Sequence, residues 1–200
     1  MSATRAAMAR RLGHRHQRGV AAIEVALLAL VFFMVVFGVI ETARMMYVFN
    51  TVQESTRRAA SAASLVSHRD TAALNRIRQN AVFRTSPGSL VFGAPVSDQS
   101  VRIDYMALVR DGSSLTLTEI PEGSLPTCPR ENRRVCMNNP NAANCIRFVR
   151  ARICEGGTNC SPVRYTPIIP LLSLTVDIPR STTIHVVESF GSMPEGTPCL

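Results

Sequence analysis

The stretch that decides the fold is RGVAAIEVALLALVFF, residues 18–33, which is apolar except for Arg18 at its start and Glu24 near its beginning. The apolar run continues to Ile40, so residues 20–40 carry a single charge. A helix rises about 1.5 Å per residue, and a helix of this length spans roughly 30 Å, the thickness of the hydrocarbon core of a bilayer. The sequence therefore predicts one transmembrane helix over residues 20–41.

A basic leader precedes this helix. The chain has 22 basic residues, all arginine, and a formal net charge of +8. Five of these arginines and two histidines lie within residues 1–18, where there is no acidic residue. A basic terminus indicates either a nucleic acid or a membrane as partner. The apolar segment favours the membrane, because arginine-rich flanks stay on the cytoplasmic side. The leader has no interleaved aromatic residues and no helix-turn-helix pattern, so we expect no nucleic-acid partner.

The apolar segment does not have the form of an ordinary secretory signal. Such a signal ends with small residues that mark a cleavage site, whereas this one ends GVIETARMM. A cut before the apolar run, after Gly19, is chemically reasonable, because glycine lacks a Cβ and lets a protease approach the backbone closely. Val20 would then be the first residue, Glu24 the fifth, and the helix would be retained.

Glu24 is predicted to have a role in assembly. An ionised carboxylate inside lipid costs several kcal/mol, so an intramembrane glutamate indicates a functional site. The α-amino group that a cut would create at Val20 of a neighbouring subunit is a suitable partner, and the first turns of a helix favour an anion. The alternative is that Glu24 only reaches up to the lipid headgroups from a plain anchor helix.

Two segments carry a resemblance to a known family. RGVAAIEVALL resembles the processing site of type IV-like prepilins, with a basic leader, a glycine, four residues, a glutamate and an apolar helix. Residues 38–60, GVIETARMMYVFNTVQESTRRAA, are similar to the TadE-like pseudopilins, or minor pilins, of the tight adherence (Flp) pilus system. The positions that carry this second similarity are Gly38, Glu41, Arg44, Tyr47, Asn50 and 57–60.

Two departures from the major Flp pilins favour a minor pseudopilin. The chain has Val25 where those pilins carry tyrosine after the glutamate, and it is much longer. The resemblance implies a single-pass protein of the bacterial inner membrane, with its N-terminus cytoplasmic and its C-terminal domain periplasmic or extracellular. It also implies processing by a prepilin peptidase and action with other pilin-like subunits and the pilus assembly machinery, without enzymatic activity.

The fold is predicted to be α+β. Residues 1–19 form the leader, residues 42–88 an extracytoplasmic helical region, and residues 89–200 an antiparallel β-rich domain with disulfides. An apolar stripe with steps of three and four extends the first helix to Val66. It consists of Met45, Val48, Val52, Ser55, Ala59, Ala62 and Val66. A second helix is predicted over 70–84, with Leu74, Ile77 and Ala81 on one face. Strands are predicted over 89–92, 100–109, 114–120, 146–154 and 182–189, with a long loop over 121–145. Asp111-Gly112 predicts a hairpin between the strands 100–109 and 114–120.

The six cysteines all lie in the last 73 residues, which fits an oxidising compartment outside the cytoplasm. No CxxC spacing is present, which argues against a zinc ribbon or a thiol redox site. Six cysteines allow 15 pairings, and the sequence does not choose among them. Closing loops by disulfides removes entropy from the unfolded chain, which favours two of the candidate pairs, and the third follows by elimination. These candidate disulfides are Cys136 with Cys145, Cys154 with Cys160, and Cys128 with Cys199.

The sequence contains none of the common catalytic motifs, so we expect no catalytic residues, no metal and no cofactor. Arg102 and Asp104 are predicted to form a surface pair. Arg147, Arg150 and Arg152 belong either to a solvated sheet face or to a surface that binds anions. The proline-rich apolar segment 165–179 is either buried or in contact with a membrane surface or a partner. The alternative function is a permanently anchored envelope binding protein that never joins a fibre.

Overall fold

The structure, a computed structural model, describes residues 17–156, 160–168, 176–187 and 190. The chain divides into two units, residues 1–40 and residues 41–200. The described part of the first unit is entirely helical. It belongs to helix α1, Gln17–Ala63, which is long and apolar enough to cross a membrane. Most of the predicted leader lies outside the described residues.

The second unit begins with the outer part of α1, which packs on its own domain. Val48, Val52 and Ala59 of the predicted apolar stripe are buried, with at most 1% of their surface exposed. Met45 and Val66 are partly buried against the same core. The heptad-like spacing therefore predicted the buried face, although the helix ends three residues earlier than expected, at Ala63.

Two shorter helices follow. Helix α2, Thr71–Ala81, buries Leu74, Ile77 and Ala81, as its spacing predicted, and the Asp70 carboxylate caps it by accepting from the Ala73 amide at 2.9 Å. The structure corrects the prediction of a structureless loop over 121–145. Helix α3, Pro129–Asn138, forms there, with proline in its first turn, where no amide donor is needed.

The structure contains four strands, β1 Val101–Asp111, β2 Ser114–Glu119, β3 Phe148–Ile153 and β4 Thr182–Val186. They form one antiparallel sheet in the order β2-β1-β3-β4. Gly112, at a φ of 58°, closes the predicted hairpin between the first two strands. The predicted strand over 89–92 is wrong, because only an isolated bridge between Ser89 and Ser97 forms there.

One face of the sheet forms the core with the helices. Val149, Ala151 and Ile153 of β3 are buried, and the residues between them are half-buried. This alternation places Arg150 and Arg152 on the opposite face of the sheet. The long N-terminal helix followed by an antiparallel sheet confirms the α+β prediction.

The structure brings two of the three predicted cysteine pairs to disulfide distance, Cys136 with Cys145 and Cys154 with Cys160. The first links α3 to the segment before β3, and the second closes a short loop after β3. Cys128 is also disulfide-bonded, while Cys199 lies outside the described residues.

His68 lies in the turn after α1 and is 6% exposed. Its ring packs edge-on against Tyr105 and Phe190, with centroids 5.6 and 5.3 Å away. The ring Nε2 lies 2.7 Å from the Pro126 carbonyl oxygen, which only accepts, so Nε2 carries the proton. The buried Nδ1 has no partner among the described groups. Burial, assisted by the nearby charge of Arg69, lowers the pKa of His68.

We predict that this histidine makes the domain sensitive to mild acid. His68 takes up a proton more readily in the unfolded chain than in the folded one. Its contribution to stability is therefore fully present above pH ~6.5. It is lost as the pH falls through the lowered folded pKa of His68, by at most about 1.4 kcal/mol per pH unit. Thermal unfolding of the full chain in detergent at pH 7.5 and 5.5 measures this loss. His68→Gln should reduce the difference between the two pH values, and an undiminished difference in His68→Gln would contradict the assignment.

Candidate functional site

Gly19, Val20 and Glu24, the predicted processing and assembly residues, lie in the first two turns of α1, with all three exposed. Glu24 is four residues beyond Val20 and therefore lies on the same helix face, one turn away. A Cβ added at Gly19 would meet no atom within 4 Å. Packing among the described residues does not require this glycine, although glycine weakens a helix by about 1 kcal/mol relative to alanine.

A second cluster lies in the other unit, where α1 leaves the apolar run. Glu41 and Arg44 are 3% and 9% exposed at their side chains and form an ion pair at 3.0 Å. The Tyr165 hydroxyl donates to the Glu41 carboxylate, and the Ile168 amide donates to its other oxygen at 3.3 Å. The carboxylate therefore has three partners, which is the condition for burying it without a large penalty.

Arg44 connects the helix to two loops. Its Nε donates to the Phe92 carbonyl oxygen at 2.7 Å, and its terminal nitrogens donate to those of Thr166 at 2.8 Å and Ala94 at 3.3 Å. Its guanidinium carbon also lies 4.9 Å from the centroid of the Tyr165 ring. A planar guanidinium offers five donors in a fixed fork, which a lysine ammonium does not.

The Tyr165 hydroxyl remains protonated in this cluster. Burial raises the pKa of Tyr165, and its hydrogen bond to Glu41 raises it further, while the Arg44 charge acts in the opposite direction. The hydroxyl can therefore donate to Glu41 and accept from Arg44, at 2.9 Å from the latter. We call Glu41, Arg44 and Tyr165 the clamp.

The sequence identified Glu41 and Arg44 only as positions of the family resemblance. It gave no indication of their buried partners, because Tyr165 follows Glu41 by 124 residues. The single signal available was the position of two opposite charges at the end of an apolar run.

The outer face of the sheet carries a second group of charges. Asp104 is 6% exposed, so it is not the surface residue that the sequence predicted. Arg102 donates to Asp104 at 2.8 Å, and this bond raises the pKa of Arg102. Arg150 and Arg152 also donate to Asp104, at 3.0 and 2.8 Å, and both pair with Glu119. Two carboxylates thus offset most of the charge of three arginines, which weakens the case for an anion-binding face.

Among the residues that the structure describes, no three His, Cys, Asp or Glu side chains lie close enough to hold a metal ion. Three cavities of about 360–420 Å³ lie among the described residues, and each is lined by both polar and apolar residues. None of them contains the clamp or the residues of the first unit.

The apolar N-terminal helix, with the Gly19-to-Glu24 spacing at its start, is compatible with a single-pass membrane anchor. Residues 19–61 match the model of a family described as TadE-like protein. This match supports a TadE-like pilin of the tight adherence (Flp) system, and it begins at Gly19 and remains within α1. No curated protein and no solved structure matches the chain.

We predict that the clamp contributes strongly to stability. Arg44→Ala leaves Glu41 buried without its counter-charge and should lower the free energy of unfolding by about 3 kcal/mol. Arg44→Lys should recover only part of this, because one ammonium cannot reach all the carbonyl oxygens. Denaturation of the full chain in detergent, followed by circular dichroism, measures these changes.

The matched control is Arg57→Ala, on the same helix, whose side chain is 77% exposed. We expect its effect to stay within about 0.5 kcal/mol. Equal unfolding midpoints for Arg44→Ala and Arg57→Ala would show that the clamp does not stabilise the domain.

Proposed function

We propose that the chain is a non-catalytic, single-pass pseudopilin that takes part in assembly of a tight adherence (Flp) pilus after a prepilin peptidase cuts it behind Gly19. One observation carries the proposal. The family match begins at the same glycine that stands five residues before Glu24 at the start of the apolar helix. A plain membrane anchor requires neither a glycine nor a carboxylate at these positions.

The proposed mechanism begins with insertion of the apolar helix, while the arginine-rich leader remains in the cytoplasm. Cleavage removes five positive charges and leaves the α-amino group of Val20 as the new end of the helix. A cation and an anion attract each other strongly where water is scarce. Glu24 of one subunit therefore selects a neighbour whose leader has been removed.

The clamp and the apolar stripe give the outer part of α1 a second role. They fix residues 41–63 to the sheet domain through buried side chains and six hydrogen bonds of Glu41 and Arg44 to residues of the loops. Movement of the helix out of the membrane would then carry the domain with it. This property suits a subunit that is extracted as one piece.

Processing tests the first step. N-terminal sequencing of the protein purified from cells with an active prepilin peptidase should give Val20 as the first residue of the wild type. Gly19→Arg should retain the leader, because the added side chain blocks the approach of the protease. The control is Gly123→Arg, at a glycine that also has no neighbour within 4 Å of an added Cβ and should not alter the cut. A wild type that keeps its leader would instead support the permanently anchored binding protein.

Assembly tests the second step. We predict that Glu24→Ala is inserted and cut normally but is lost from surface fibres or fails to support their formation. Glu54→Ala provides the control, since Glu54 lies on the same helix with 41% of its side chain exposed and pairs only locally with Arg58 and Arg57. Fibre counts by electron microscopy and recovery of the subunit in sheared fibres measure the effect. Fibres that form normally with Glu24→Ala would remove the proposed role of this carboxylate.

A further inference from the structure

Two loops of the domain hold large apolar side chains in exposed positions. Phe92 is 72% exposed, Ile168 61% and Val91 50%. Single exposed apolar residues are common, but these three belong to loops that are joined through the same side chains of the clamp.

The packing at the base of their loop keeps Val91 and Phe92 exposed. Leu90 and Val96 on either side are 3% and 0% exposed, and the Leu90 amide donates to the Val96 carbonyl oxygen at 2.8 Å. A Cβ added at Gly93 would come within 2.4 Å of the Leu90 side chain, so the loop is tightly packed at its base. Phe92 has a φ of 55°, a left-handed conformation that is uncommon for phenylalanine.

The clamp determines where these side chains lie along the helix. Arg44 bonds the Phe92 carbonyl oxygen at 2.7 Å, and Glu41 accepts from the Ile168 amide at 3.3 Å. Both loops are therefore attached within one turn of the point at which the apolar run ends, at Ile40. In a chain that spans a membrane, this is the level of the lipid headgroups.

We infer that Val91, Phe92 and Ile168 form a rim that inserts into the boundary between headgroups and acyl chains of the leaflet beside the domain. The inference rests on the proposed membrane span, but not on cleavage or fibre assembly. Apolar and aromatic side chains at this depth gain from leaving water while the backbone polar groups behind them stay bonded to the clamp. The rim sets the orientation of the domain on the membrane before extraction, and extraction must break its contact with lipid.

The chain offers a matched control for this position. Phe83 is also a phenylalanine in the left-handed region, with a φ of 59° and 45% exposure. Arg58 stacks over its ring at 4.3 Å. Arg58 follows Glu41 by 17 residues, so Phe83 contacts the helix about 25 Å farther from the apolar run.

Single tryptophans can report the depth of these positions, because the chain has no tryptophan of its own. We would place Phe92→Trp, Phe83→Trp and Phe33→Trp separately in the full chain and reconstitute each in vesicles of phosphatidylglycerol and phosphatidylcholine. Some vesicles carry acyl chains brominated close to the headgroup and others near their end. Quenching by bromine shows contact with lipid, and quenching by iodide shows contact with water.

We expect Phe92→Trp to be quenched most by the shallow bromines, at least twofold more than Phe83→Trp, which iodide should quench instead. Phe33→Trp should respond to the deep bromines. If the deep bromines quench Phe33→Trp but Phe92→Trp behaves like Phe83→Trp, the proposed rim is wrong, whereas the membrane span is supported. If Phe33→Trp is quenched by iodide alone, the membrane span itself fails, and the rim with it. If the tryptophan of the Phe92→Trp variant is shielded from both quenchers only at high protein density, it contacts a second copy of the chain. That result would overturn the lipid assignment.

Discussion

The buried ion pair between Glu41 and Arg44 is the interaction on which the arrangement of the second unit depends. Removing two charges from water is expensive, and a bare pair rarely offsets that cost. Here the cost is offset because nearly every polar atom of the pair has a hydrogen-bond partner. A tyrosine hydroxyl and a backbone amide donate to the carboxylate. The guanidinium donates to the carbonyl oxygens of three residues. The same bonds fix two loops that are about 50 and 120 residues away in sequence.

Helix α1 carries two carboxylates between Gln17 and Glu41, and they differ in how their charge is satisfied. Glu41 is buried in its own domain, with partners supplied by the same chain. Glu24 lies on the exposed surface of the helix within the segment predicted to be in lipid. A carboxylate satisfied internally contributes to folding, whereas one that needs an external cation contributes to association. The proposed function places the first role at residue 41 and the second at residue 24.

The parts of the fold that were predictable are those governed by local periodicity. Steps of three and four in α1 and α2 identified the buried faces, and Asp111–Gly112 identified the hairpin, because each depends on residues close together in sequence. Helix α3 was missed because its sequence, PRENRRVCMN, is strongly polar. The burial of Asp104 was missed because it depends on register, which brings Arg150 opposite it across the sheet. The partners of Arg44 were not predicted, because they belong to loops that are far from it in sequence.

The clamp also constrains how such a subunit could leave the membrane. Extraction exposes about 21 apolar residues of the helix to new surroundings, and only packing against other apolar helices can offset the loss of lipid contact. A domain that was loosely tethered would let the helix move while the domain remained behind on the membrane. Residues 41–63 are instead integrated into the core by Val48, Val52 and Ala59 and by the clamp at their start. Under the proposed function, residues 41–63 therefore move together with the domain, and any contact of the domain with lipid has to be weak enough to break in the same step.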